Sequence, residues 1–83
     1  MPKKFPALTP DDVVAILNSN GFARTAFRGS HAQYENGQRK VTVDMAIKDF
    51  NSYLIKSMIA QSGLTREAFY GATKSTAKKI GRR

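Results

Sequence analysis

The chain has no cysteine, a single histidine and no long apolar run. Without cysteine there is neither a disulfide nor a thiolate cluster, so packing and hydrogen bonding alone must hold the fold. The one histidine, His31, has no second imidazole to share a metal, and the acids show no ligand spacing, so neither a metal site nor a cofactor is expected. No stretch approaches the length of a membrane span, and "MPKKFPALTPDD" contains no apolar leader core. A soluble, cytoplasmic protein without a membrane partner is therefore expected. Acids are scarce too: six Asp and Glu against fourteen Lys and Arg leave a net charge of +8 on 83 residues. Such a surplus attracts polyanions, RNA or DNA first among them, by long-range field and counterion release.

Eighty-three residues with 41% hydrophobic content suit one small globular domain. The charge is unevenly spread. Residues 71–83, "GATKSTAKKIGRR", carry Lys74, Lys78, Lys79, Arg82 and Arg83 and no acid. Apolar spacing fades beyond Tyr70, which divides the chain into a domain at 1–70 and a basic tail at 71–83. The tail is expected to be a flexible electrostatic arm.

"LTPDDVVAILNSNGF" predicts a first helix. Thr9 caps it, Pro10 takes the first helical position, and Asp11 and Asp12 favour the positive end of its dipole. Val13, Val14, Ile16 and Leu17 form its apolar stripe, and Asn20-Gly21 closes it. "FARTAF" reads as a short strand. "SHAQYENGQRKVTVD" gives two alternating runs about Asn36-Gly37, the signal for a tight hairpin with a type I′ turn. With those two residues as the loop, Tyr34 faces Arg39, Gln33 faces Lys40, Ala32 faces Val41 and His31 faces Thr42. Ala32, Tyr34, Val41 and Val43 then share a core face, and His31, Gln33, Glu35, Lys40 and Thr42 share the polar one.

"NSYLIKSMIAQSGL" predicts a second long helix, capped by Asn51 and stopped by Gly63, with Leu54, Ile55, Met58 and Ile59 inward. "TREAFY" starts a short turn of helix with Thr65 as cap and Phe69 buried. The order α-β-β-β-α defines an α+β fold: one three-stranded antiparallel sheet with helices on one face and the other face open to a ligand.

A lone histidine is more often structural than catalytic, so His31 has to be weighed by its surroundings. Ser30-His31 is no nucleophile–base pair, because adjacent strand residues point to opposite faces. Acid–base chemistry on a bound anion remains. RNA carries its own nucleophile, the 2′-OH, and an imidazole with a reference pKa of roughly 6.5 suits proton transfer near neutrality. Lys40, one pair along the same face, is the candidate to neutralise charge on the phosphorus centre. Arg24 and Arg28 are candidates to hold the RNA backbone, or are simply an exposed basic strand edge. Tyr34 could stack on a base, but its parity favours core packing.

"GFARTAFRGSHAQYENGQRKVTVD" followed by "LIKSMIAQSGLTREAF" resembles the HicA toxins, the YcfA-like mRNA interferases. Gly21-Phe22, the Gly29-Ser30-His31 motif, Val41-Thr42-Val43 and Gly63-Leu64-Thr65 carry the resemblance by their order and spacing. It implies a double-stranded-RNA-binding-like α-β-β-β-α fold, endoribonuclease action on mRNA with His31 catalytic, and neutralisation by a HicB-type antitoxin. The chain departs from the family after the third strand. Where relatives commonly carry a proline and then a second histidine, Asp44, Met45 and Ala46 stand here. The alternatives are a non-catalytic RNA-binding module of the same fold and an inactive relative that only engages a partner protein.

Overall fold

A computed structural model of the chain describes residues 4–81. Arg82 and Arg83 of the expected tail, and the first three residues, lie outside the described residues. The elements run α1 (Pro10–Ser19), β1 (Ala23–Arg28), β2 (His31–Asn36), β3 (Arg39–Asp44), α2 (Ser52–Ser62), α3 (Arg66–Gly71) and α4 (Lys74–Lys79). The strands form one antiparallel sheet in the order β1-β2-β3. This is the expected α+β arrangement with its short helix α3, extended by a further short helix, α4. No described helix is long and apolar enough to cross a membrane.

Local chemistry starts each described helix. The Thr9 hydroxyl accepts from the Asp12 N–H at 3.1 Å while the Thr9 N–H donates to the Asp12 carboxylate at 3.0 Å, a reciprocal capping box. Asn51, Thr65 and Thr73 cap α2, α3 and α4 in the same way, each accepting an N–H three residues on. Such caps contribute typically ~1 kcal/mol each. Gly63 ends α2 in the left-handed conformation, φ 76°.

The core lies between the sheet and the helices. Val13, Ile16 and Leu17 of α1 and Ile55 and Met58 of α2 meet Ala32, Tyr34, Val41 and Val43 of the sheet, with Phe69 and Tyr70 closing one end. Val14, Leu54 and Ile59 are only partly buried. A single bridge joins the two helix entries, the Phe50 N–H donating to the Leu8 carbonyl at 2.7 Å. All of β1 is exposed, because α1 and α2 pack over β3 and leave this edge strand uncovered.

The hairpin register differs from the expected one. Tyr34 pairs with Val41, Gln33 with Thr42, Ala32 with Val43 and His31 with Asp44, so the loop residues are Gly37 and Gln38. Gly37 has φ 61°, and among the described residues no non-glycine residue has positive φ. A type I′ turn needs positive φ at both loop positions, so the turn follows the II′ pattern of glycine first. Asn36 is spent elsewhere: its side-chain amide donates to the Asn20 carbonyl at 2.9 Å and ties the hairpin tip to the end of α1. The shift is by two residues, so the two faces keep their expected members.

The tail is the second correction. Instead of a flexible arm, residues 74–79 form α4, with Thr76 and Ala77 buried. The Thr76 hydroxyl donates to the Tyr70 carbonyl at 2.6 Å. Small side chains and one hydroxyl dock this helix, and these leave no hydropathy pattern. Replacing Thr76 by Val should destabilise the fold by about 1–3 kcal/mol, since the Tyr70 carbonyl loses a buried donor. Chemical denaturation measures it, and an unchanged midpoint would mean that α4 does not hold to the domain.

Tyr70 gives a pH signature. Its hydroxyl donates to the Pro6 carbonyl at 2.7 Å. Burial pushes the phenol up from 10.0 to about 12, with the Arg66 guanidinium offsetting part of the rise. The folded chain thus favours the neutral phenol. The stability this contributes is full below pH 10 and is lost as pH rises from 10.0 to about 12. Melting temperature should therefore fall more steeply across that window in the wild type than in Tyr70→Phe. Parallel slopes would show that the phenol titrates alike in the folded and unfolded chains.

Candidate active site

Gly29 and Ser30 form the two-residue turn between β1 and β2, with Gly29 at φ 57°. Glycine takes the positive φ there without a Cβ penalty, and the next residue, His31, opens β2. Antiparallel pairing then chooses its neighbours. Arg28 faces His31 from β1 and Asp44 faces it from β3. Directly opposed residues share a face, so all three side chains rise on the side of the sheet away from the core.

The imidazole is open to solvent, its side chain 61% exposed. Its Nε2 lies 3.7 Å from the Asp44 Oδ2. That is too long for a hydrogen bond, and an ion pair this exposed contributes little stability. Asp44 is anchored beneath it. Its other oxygen, Oδ1, accepts from the Ala46 N–H at 3.0 Å, and the Met45 N–H donates to the Ser30 carbonyl at 2.7 Å. The segment after β3 is thereby fastened to the turn that carries the histidine.

Two hollows meet at His31. One, of 180 Å³, is lined by Ala26, Arg28, His31, Gln33 and Thr42. The other, of 240 Å³, lies between the end of β3 and α2. A larger hollow of 470 Å³, bordered by Lys4, Phe5, Ser52 and Lys56, shares no residue with either. Among the described residues no group of three or more His, Cys, Asp or Glu is placed to hold a metal ion.

Of the three basic residues singled out in the sequence, the fold brings Arg28 to His31. Lys40 faces Glu35 rather than Gln33. It shares His31's face but stands four residues down β3 from Asp44, about 13 Å along the strand. Arg24 pairs with Tyr34, so it belongs to the opposite face, where its guanidinium lies 5.2 Å from the Phe27 ring centroid. Tyr34 itself is buried in the core. Asp44 and Gln61 are the neighbours that sequence reasoning missed. Asp44 follows from a turn at Gly37-Gln38, a signal the Asn-Gly pair masked. Gln61 carries no sequence signal, because only the seating of α2 against β3 brings it near.

The chain is thus a small basic α-β-β-β-α domain of double-stranded-RNA-binding-like fold, with a Gly-Ser-His turn on its open sheet face. A family model described as "HicA toxin of bacterial toxin-antitoxin" matches residues 10–64, more than half of the chain. The chain belongs to the HicA toxin family. No curated protein gives a significant match. The matched region runs from α1 past the end of α2, so Arg28, His31, Asp44 and Gln61 fall inside it and α3 and α4 outside.

Proposed function

We propose that this toxin is a metal-independent endoribonuclease that cuts mRNA in the cytoplasm, with His31 as its proton-transfer group. The observation that carries the reading is the exposed imidazole on the open sheet face, flanked by Arg28 and Asp44. His31 takes the proton from a 2′-OH as that oxygen attacks the adjacent phosphorus. The bond to the 5′-oxygen breaks, and the imidazolium returns its proton to this leaving oxygen, which leaves a cyclic phosphate on the other fragment. Arg28, rather than Lys40, neutralises the charge that builds on the phosphate oxygens. Asp44 is a positioning residue, its carboxylate favouring one orientation of the ring. Lys40 extends the basic track along the same face for backbone contacts.

His31→Ala should leave stability within about half a kcal/mol, as exposed substitutions usually do. Cleavage should fall about a hundredfold or more, the low end for losing an acid–base group. The assay uses purified protein and RNA with EDTA present throughout. Cleavage that needs a divalent ion, or that survives in the variant, would sink the reading. RNA binding without any cleavage would make the chain a non-catalytic RNA-binding module.

An active mRNA nuclease needs an inhibitor, and a HicB-type antitoxin is the partner proposed for this one. A net charge of +8 favours a partner that is acidic where it touches, which speeds association by steering. The inhibited complex should cover His31 and protect residues 28–42 from hydrogen exchange or footprinting. Full inhibition with that stretch unprotected would place the antitoxin elsewhere on the toxin.

A further inference from the structure

On the side of His31 away from Arg28, the end of β3 and α2 enclose the 240 Å³ cleft. Ile47, Leu54 and Met58 give it apolar walls, and Ser57 and Gln61 stand on its rim. The Gln61 amide is oriented by its surroundings. Its Oε1 accepts from the Thr42 N–H at 3.3 Å, which leaves the side-chain NH₂ as the free donor. Neither that NH₂ nor the Ser57 hydroxyl has a hydrogen-bond partner among the described residues.

Apolar walls with two solvent-facing, uncharged hydrogen-bonding groups that have no protein partner, beside the Asp44 carboxylate, suit a flat heterocycle with a polar edge. The volume falls below the roughly 300–1,000 Å³ of pockets for drug-sized ligands, which fits one ring system rather than a whole nucleotide. His31 borders both this cleft and the hollow of Arg28. A single strand crossing the sheet could therefore set a phosphate against Arg28 and His31 and turn the neighbouring base into the cleft. A base held in a duplex cannot turn out this way without losing its pairing and stacking. We propose that the cleft between β3 and α2 takes one unpaired nucleobase of the RNA, adjacent to the phosphate at His31, and that Gln61 reads its edge. The position of the phosphate rests on the nuclease reading above; the base-binding cleft does not.

Two variants and one altered probe test this. Gln61→Glu keeps an oxygen for the Thr42 N–H but replaces the donor with an acceptor. Ser57→Phe fills the cleft from an exposed position on α2. End-mapped cleavage of random single-stranded RNA by the wild type should show a preference of about tenfold at one position beside the cut, within the range for one hydrogen-bonded base edge. Gln61→Glu should change the preferred base, and Ser57→Phe should reduce the preference to within about twofold. In parallel, His31→Ala protein should bind a five-nucleotide single strand about tenfold more tightly than the same strand with one abasic position. Adding Ser57→Phe should abolish that difference. Cleavage without base preference, or with a preference that neither variant alters, overturns the cleft proposal while the nuclease reading stands. Abasic discrimination by a protein that never cleaves RNA has the opposite meaning: the cleft stands and the nuclease reading falls. If the variants weaken only binding of the antitoxin, the cleft receives a protein side chain and the proposal is wrong.

Discussion

Tyr34 opposite Val41 and His31 opposite Asp44 are two ends of one constraint, the pairing of β2 with β3. Side chains alternate along both strands, so one register decides which side chains reach the core and which group meets the imidazole. A slip of one residue would turn either Tyr34 of β2 or Val41 and Val43 of β3 to water. A slip of two would keep the faces and still remove Asp44 from His31. Gly37 at φ 61° and the Asn36 bond to the Asn20 carbonyl hold the register at the far end of the hairpin. At the near end the Met45 N–H on the Ser30 carbonyl extends it past Asp44.

The helices divide the sheet unequally, and the open surface follows from that. α1 and α2 pack over β3, leaving all of β1 in solvent and Phe27 49% exposed. α2 has a second role at the sheet edge, where Gln61 takes up an N–H of β3. The same helix thus closes the core with Ile55 and Met58 and walls the cleft beside His31. The C-terminal helices work at a distance from this site. Tyr70 bonds the Pro6 carbonyl and Arg66 bonds the Lys4 carbonyl, so α3 clamps the segment leading into α1, and Thr76 fastens α4 to α3.

The chain belongs to the HicA toxin family, and the segment after its third strand is fastened to the Gly29-Ser30-His31 turn. Asp44-Met45-Ala46 forms a tight turn in which one aspartate oxygen caps the Ala46 N–H and the other faces the imidazole. A proline at that point could not supply the N–H that Met45 or Ala46 donates. The chain's own solution around its histidine is therefore a carboxylate across the hairpin.

Much of this fold was legible in the residues because the interactions that write it are local. Thr9, Asn51 and Thr65 cap their helices through contacts three residues away, and the alternation around Ala32 and Tyr34 assigns the sheet faces whatever the exact turn. The site was only partly legible. His31 and its turn can be read from Gly-Ser-His, but its company cannot. Asn-Gly has the intrinsic propensity for a turn, yet the Asn20 carbonyl offered Asn36 a better use, and the register moved by two. That exchange brought Asp44 to His31 and carried Lys40 away. α4 was hidden because buried threonine and alanine leave no apolar period, and Gln61 because no local rule says which edge α2 will lie against. The sequence by itself determined the elements, their caps and the two faces of the sheet, all governed by neighbours in the chain. Tertiary structure decided the register, the partners of His31 and the cleft beside it, because each depends on hydrogen bonds between residues far apart in sequence.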